Sequence, residues 1–381
     1  MARFDVIEEK WKMVEIPVHD QRVVDLMKKM TRFLFLTRSH LLGSPDHPKN
    51  LSFKKFILPP PENYNNNEGL FKTLWVIHSG EIAGFAGKLF VDFIGIVFVF
   101  LTFTGLTYWL FPKWIKNRKR KEKPVQSIVR VNRFSLKWHN KIGVWMVVFL
   151  LITAITGMFL RPPLLIAIAN AQVGKIPFTI LDSPNPRDDK LRRIFYDNEK
   201  DRFVIGTNKR IYFADPDLKS ELKYAYPQPP ISVMGINVFE NLGKGNYLVG
   251  SFNGMFMWNR ERTYLVDIYN PKGKVQFNPG GPPLSANMTA GFIDFGNHQF
   301  VFDYNRGVEA LQPAKQFPEM PHHVLEQSPM SLWNLALEFH TGRYYSFIFG
   351  RLYILFIPFL GLTMLLILIT GFWLWLKIYR K

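Results

Sequence analysis

The chain has 381 residues, 48% of them hydrophobic and 15% aromatic, a formal charge of +18 and a mean hydropathy near zero. That length allows about two domains, and the balance of apolar runs against a large polar remainder excludes a protein that is transmembrane throughout. With no cysteine there is no disulfide, no thiolate chemistry, no Cys-ligated iron–sulfur cluster and no c-type haem attachment.

In chain order, residues 1–31 are mixed and charged, with an amphipathic helix predicted around Val23–Met30. Arg32–Leu42 (RFLFLTRSHLL) reads as two short strands around a polar turn. Residues 1–70 are therefore expected as a segment with one hairpin. Residues 71–112 form a short helix and a first membrane span, in LWVIHSGEIAGFAGKLFVDFIGIVFVFLTFTGLTYWLF. His78 and Gly80 stand ahead of the span, and Thr104, Gly105 and Trp109 at its far end. Residues 113–137 carry ten Lys or Arg against one acid and are expected as a loop. Between two spans, such a cluster marks the cytoplasmic side and contact with anionic lipid rather than nucleic acid.

The second span, residues 138–161, is apolar from Ile142 to Leu160 and has its own His139 and Thr156-Gly157. Residues 162–334 are expected as a β-rich domain. RFVIGTNKRIYF (202–213), NYLVGSFNGMFMW (246–258) and QFVFDYNRGVEAL (299–311) are hairpin patterns: apolar or aromatic runs around a turn rich in Asn, Ser or Gly. Their spacing of about 45–50 residues suggests propeller-like repeats, too few for a closed ring. Proline clusters at 59–61, 228–230 and 278–283 punctuate them. In Met320–Pro329, His322, His323 and Glu326 are either a metal site or a polar loop. Residues 335–381 form a second short helix and a third span, uncharged from Leu352 to Leu376 and so long enough to cross about 30 Å of hydrocarbon.

The third span repeats the grammar of the first. His340 and Gly342 precede it; Thr370, Gly371, Trp373 and Trp375 close it; Gly-Arg-Leu-Tyr at 350–353 matches Gly-Lys-Leu-Phe at 87–90. The tryptophans at the span ends read as an interfacial belt. Asp92, the only acid within the spans, is expected at the interface or paired with Lys88 four residues earlier.

A cytoplasmic basic loop fixes the topology. The first span then runs inward and the second outward, residues from Arg161 to about Phe347 are extracytoplasmic, and the third span ends inside at Lys377, Arg380 and Lys381. Residues 1–70 would lie outside although they open without an apolar signal core, so an upstream membrane helix is expected to be lacking. The opposite topology, with an inner amino terminus and an outer basic loop, stays open. His78 and His340 then share the outer side and His139 lies on the inner side. Two imidazoles on opposed helices can supply one axial ligand to each face of a b-type haem. The other reading is that they anchor helices at the interface and that the glycines beside them serve helix packing.

These three span motifs, LWVIHSGEIAGFAGKLF with TFTGLTYWLFP, LKWHNKIGVW with ITAITG, and LEFHTGRYYSFIFGRLY with LITGFWLWL, resemble the PepSY-associated transmembrane helix proteins, an iron-regulated family of the bacterial inner membrane. The resemblance implies a multi-pass protein with a large periplasmic domain and a cytoplasmic carboxyl terminus, and four helices in two repeats, of which this chain shows helices two, three and four. For some members it implies reduction of a ferric siderophore by two stacked haems. His78 and His340 would hold one haem; His139 would hold a second only with a partner. Arg343 and Arg351 would pair with haem propionates or with lipid headgroups. The alternative is a non-enzymatic, membrane-anchored module that binds or regulates a peptidase, as the family's name suggests.

Overall fold

The computed structural model describes residues 2–5, 8–45, 51–62, 64–259, 264–270, 285–296, 298–311 and 316–379. Arg380, Lys381 and the proline cluster at 278–283 lie outside them. The chain divides into two compact units: Met1–Asn67 with Ser183–Gln327, and Glu68–Asp182 with Ser328–Lys381.

The first unit is built of antiparallel meanders. Beside a two-stranded pair (Ala2–Asp5, Lys10–Met13) it holds a four-stranded sheet over Val23–Lys29, Arg32–Thr37, Leu41–Pro45 and Lys54–Phe56. A second covers Leu191–Asp197, Arg202–Thr207, Ile211–Ala214 and Lys223–Tyr224; a third covers Ile236–Gly243, Asn246–Ser251, Gly254–Asn259 and Tyr264–Asp267. A three-stranded sheet follows over Thr289–Asp294, Gln299–Asp303 and Gly307–Ala310. Each of the four hairpin patterns in the sequence lies at the heart of one sheet. Alternate residues serve opposite faces, as the strand period of two requires. Phe203 and Ile205 join Leu34 and Leu36 of the preceding sheet. Val204, between them, joins Phe239, Tyr247 and Trp258 of the next, and Leu248 in turn faces Val301. The sheets thus stack in chain order, as propeller blades do.

Two expectations change here. Val23–Lys29 is a strand, not a helix: it pairs with Arg32–Thr37 through a turn in which Met30 takes φ 51°. Residues 1–67 hold a full meander in addition to the expected hairpin, and they form one unit with 183–327 rather than a separate segment. The short helix α5 (His322–Gln327, numbered by chain order with those below) ends this unit.

The second unit is helical: α1 (Leu70–His78), α2 (Gly84–Arg120), α3 (Gln126–Met158), α4 (Leu164–Ile168), α6 (Leu332–His340), α7 (Ser346–Phe349) and α8 (Phe356–Tyr379). Segments around α2, α3 and α8 are long and apolar enough to cross a membrane. Their most apolar windows are only 17, 22 and 0% buried, which leaves apolar faces for lipid. α3 is central, packing against α1, α2 and α8. Ile94, Val97 and Thr104 are buried on α2, and Val147, Leu150 and Ala154 on α3, at the three- and four-residue steps of a helix seam. Phe90 meets Phe149 edge-on at 4.9 Å, and Met158 fills the space left by Gly361.

The expected basic loop is mostly helix. α2 runs through Pro112 to Arg120 and α3 starts at Gln126, so only 121–125 connect them. Lys and Arg are good helix formers, and Arg118, Lys119 and Arg120 in the last turn of α2 suit its negative end. At about 1.5 Å per residue both helices outrun a bilayer core of about 30 Å. Lys113 lies over Trp109 at 4.3 Å and Lys377 over Trp373 at 5.5 Å, as cationic and aromatic side chains do at an interface.

Candidate functional site

α1 and α6 are both nine-residue helices that end on histidine. Ser79 and Thr341 cap them, and their amides bond back to Trp75 and Leu337 at 2.9 Å in each case. The next residue turns left-handed, Gly80 at φ 75° and Gly342 at φ 77°, where a side chain would be strained. A 3-10 turn follows in each copy, Glu81–Ala83 and Arg343–Tyr345. The His-x-Gly motif is thus a helix stop that leaves the imidazole at the end of a short helix.

The two stops come together. The rings of His78 and His340 have centroids 6.0 Å apart with planes at 39°. His78 reaches the far end of α3. Its Nδ1 lies 3.1 Å from the carbonyl oxygen of Thr153 and 3.3 Å from Thr156 Oγ1. Thr156 gives its own hydroxyl proton to the Ile152 carbonyl at 2.7 Å, so both groups act as acceptors toward His78. The proton is therefore on Nδ1, and Nε2 carries the lone pair. Burial holds the His78 imidazolium below its usual range; the nearby His340 adds to this and the bond to Thr153 opposes it. The neutral ring is the form that can ligate a metal.

Around His340, Arg161 Nη2 donates to the Thr341 carbonyl at 3.5 Å and Phe339 stacks on Tyr344 at 4.0 Å. Arg343 pairs with Glu338 at 3.3 Å; Arg351 is exposed.

His139 occupies a different place, near the start of the apolar part of α3. Its Nδ1 lies 2.9 Å from Thr104 Oγ1 on α2, whose hydroxyl proton goes to the Phe100 carbonyl at 2.8 Å. This ring, too, donates from Nδ1 and leaves Nε2 free of that bond. Seventeen residues of helix between 139 and 156 put the two sites about 26 Å apart along α3.

The sequence reading named the Thr-Gly pairs as part of the motif but gave them no task. Thr104, Thr153 and Thr156 are the partners it missed. The signal was present: each pair sits at the depth of a histidine on the neighbouring span. For two other groups the sequence left alternatives open, and the structure narrows them. Lys88 pairs with Glu81 at 2.9 Å and not with Asp92, because the Gly80 turn folds Glu81 back over α2; Asp92 is exposed. His322 pairs with Glu326 at 3.2 Å on an exposed turn of α5, and among the described residues no group of three ligand-type side chains could hold a metal ion.

A protein-family model described as the PepSY-associated TM region matches residues 54–377. Searches of curated proteins and of solved structures gave no match.

Proposed function

Since the chain belongs to the PepSY-associated transmembrane family, we propose that it is a bacterial inner-membrane electron-transfer protein that holds a b-type haem between His78 and His340 and reduces a ferric chelate, such as a siderophore, on the outer side. In this reading the β unit is periplasmic and α8 ends in the cytoplasm.

The observation that carries the reading is the facing pair of histidines. Two imidazoles on one metal, each about 2 Å from it through one nitrogen, have ring centres about 6 Å apart; the rings of His78 and His340 are separated by 6.0 Å. An ordinary edge contact between rings spans about 4.5–7 Å, so the tautomer adds the discriminating support. His78 donates from Nδ1 to the protein and keeps Nε2 for a ligand, as metal-binding histidines do. A haem held there would supply a one-electron couple suited to taking a ferric chelate to the ferrous state, with the electron drawn from a one-electron donor of the membrane or cytoplasm. His78 and His340 hold and orient the group, while Arg161 and Arg343 bring positive charge within three residues of His340 on one side or against its turn. His139 is the candidate ligand of a second, inner haem, whose other ligand does not come from the described residues.

The test is a reduced-minus-oxidised spectrum of the purified full chain. A b-type α-band is expected, lost in both His78→Ala and His340→Ala. A wild-type protein with no such band, or one whose band survives both substitutions, overturns the proposal.

A further inference from the structure

Two half-buried histidines are held in the same way. His78, at the end of α1, lies on Thr156-Gly157 of α3, and His139 of α3 lies on Thr104-Gly105 of α2. We infer that the Thr-Gly pairs are sockets that orient these histidines for iron: Thr156 and Gly157 for His78, Thr104 and Gly105 for His139. This rests on the haem reading above and adds the positioning residues that reading leaves out.

Three features support it. Both threonines are buried, at 4% and 6% exposure, and both have given their hydroxyl proton to their own helix. Each can only accept, which fixes the proton on Nδ1 and directs Nε2 outward. The glycine one residue on from Thr156 then makes room for the ring. A Cβ at Gly157 would lie 2.7 Å from His78 Cε1 and force the ring aside, whereas one at Gly105 would lie 3.4 Å from His139 Cε1, in ordinary contact, so the steric need for glycine is confined to the His78 socket. Finally, a histidine that only pinned two helices would be satisfied by any polar partner on either nitrogen. The same nitrogen, met by a Thr-Gly in both contacts, α1 on α3 and α3 on α2, points to a constraint on the other nitrogen.

The test uses the full chain in detergent, with haem b added, and three variants. Thr156→Val keeps the shape and removes the hydroxyl acceptor while leaving the Thr153 carbonyl; it is expected to bind haem up to about 10-fold more weakly and to shift the midpoint potential. Thr156→Ser restores both. Gly157→Ala pushes the ring aside and loses the low-spin, two-histidine spectrum. Wild-type affinity, potential and spectrum in both Thr156→Val and Gly157→Ala would overturn the socket while leaving the His78–His340 site standing. Nitrogen-15 shifts of His78 in the haem-free chain give a second readout that does not depend on haem. The Nδ1–H tautomer is expected in wild type and in Thr156→Ser, with a weakened preference in Thr156→Val, where the Thr153 carbonyl alone remains to accept. An Nε2–H tautomer in wild type overturns the socket. A chain that takes up no haem but shows the Nδ1–H tautomer refutes the electron-transfer proposal, and with it the role of the socket toward iron. Where Thr156→Val does not fold, Thr156→Cys, which keeps the size with a far weaker acceptor, is read in the same way.

Discussion

The two copies of the His-x-Gly unit are nearly superimposable in local conformation and different in what surrounds them. Both have a nine-residue helix, a terminal histidine, a left-handed glycine within 2° in φ (75° against 77°) and a 3-10 turn. Beyond that turn they part. In the first copy α2 starts at Gly84 and runs unbroken, with Gly80 pressed against the backbone of Gly87. In the second, α7 intervenes, and after a positive-φ glycine that both copies share (Gly84 at 63°, Gly350 at 53°) a 3-10 stretch, Gly350–Leu355, delays α8 to Phe356. Gly342 faces the side chain of Phe356 instead of a backbone. At the far end, Thr104 is buried under His139, whereas Thr370 is exposed, bonds only to its own helix and is followed by Gly371, where an added Cβ would meet nothing from another element. The local stop is set by glycine; the task of each span is set by the helix that lies against it.

The glycines give the largest contrast. An alanine at either Gly80 or Gly342 must sit left-handed, at about 1–2 kcal/mol. At Gly80 its methyl also meets the carbonyl of Gly87, a backbone that cannot swing away, adding an overpacking cost of about 1–3 kcal/mol. At Gly342 it meets Phe356 Cδ1 at 3.0 Å, a side chain that can shift. Gly80→Ala is therefore expected to lower thermal stability in detergent clearly more than Gly342→Ala. Equal losses would mean that the Gly80–Gly87 contact carries no weight.

The threonines come next. Thr104→Val removes the hydroxyl acceptor of the His139 Nδ1–H, and because His139 also bonds to the Leu101 backbone the loss is expected at the lower end of about 1–3 kcal/mol. Thr370→Val removes a hydroxyl bonded only within α8, and surface changes of this kind stay within about 0.5 kcal/mol. Unfolding midpoints of the two variants, measured side by side, decide this. A loss at Thr370 as large as that at Thr104 would show that a donor from another helix or another copy sits on it.

Much of this was legible in the sequence, for identifiable reasons. The four hairpins showed because their central strands are apolar on both faces, as strands between two sheets must be. The outer strand Val23–Lys29 did not, because Asp25, Lys28 and Lys29 dilute its alternation and resemble the polar face of a helix. The spans and histidines were plain from length and repetition. The meeting of His78 and His340 was legible from the repeat, but the threonine partners of His78 and His139 were not, because one sequence does not say which helix lies against which. Lys88 shows the same limit: spacing along a helix favoured Asp92, but a left-handed glycine brought Glu81 within 2.9 Å.

The smallest expected effect lies in the ion pairs that flank the two turns. Lys88–Glu81 in the first copy has side chains 52% and 36% exposed; Arg343–Glu338 in the second has both at 26%. Exposed pairs contribute about 0–1 kcal/mol, since water and salt screen most of the attraction. Arg also presents a planar, multidentate donor and is more weakly hydrated than an ammonium, so less is lost in bringing it to a carboxylate. Lys88→Ala should therefore barely move the unfolding midpoint, and Arg343→Ala should move it more. If Arg343 acts only through Glu338, then Arg343→Ala, Glu338→Ala and the double variant should lose the same amount. If the guanidinium also neutralises a bound propionate, Arg343→Ala should lose more in the haem-loaded chain than Glu338→Ala does, and the excess should vanish when haem is removed.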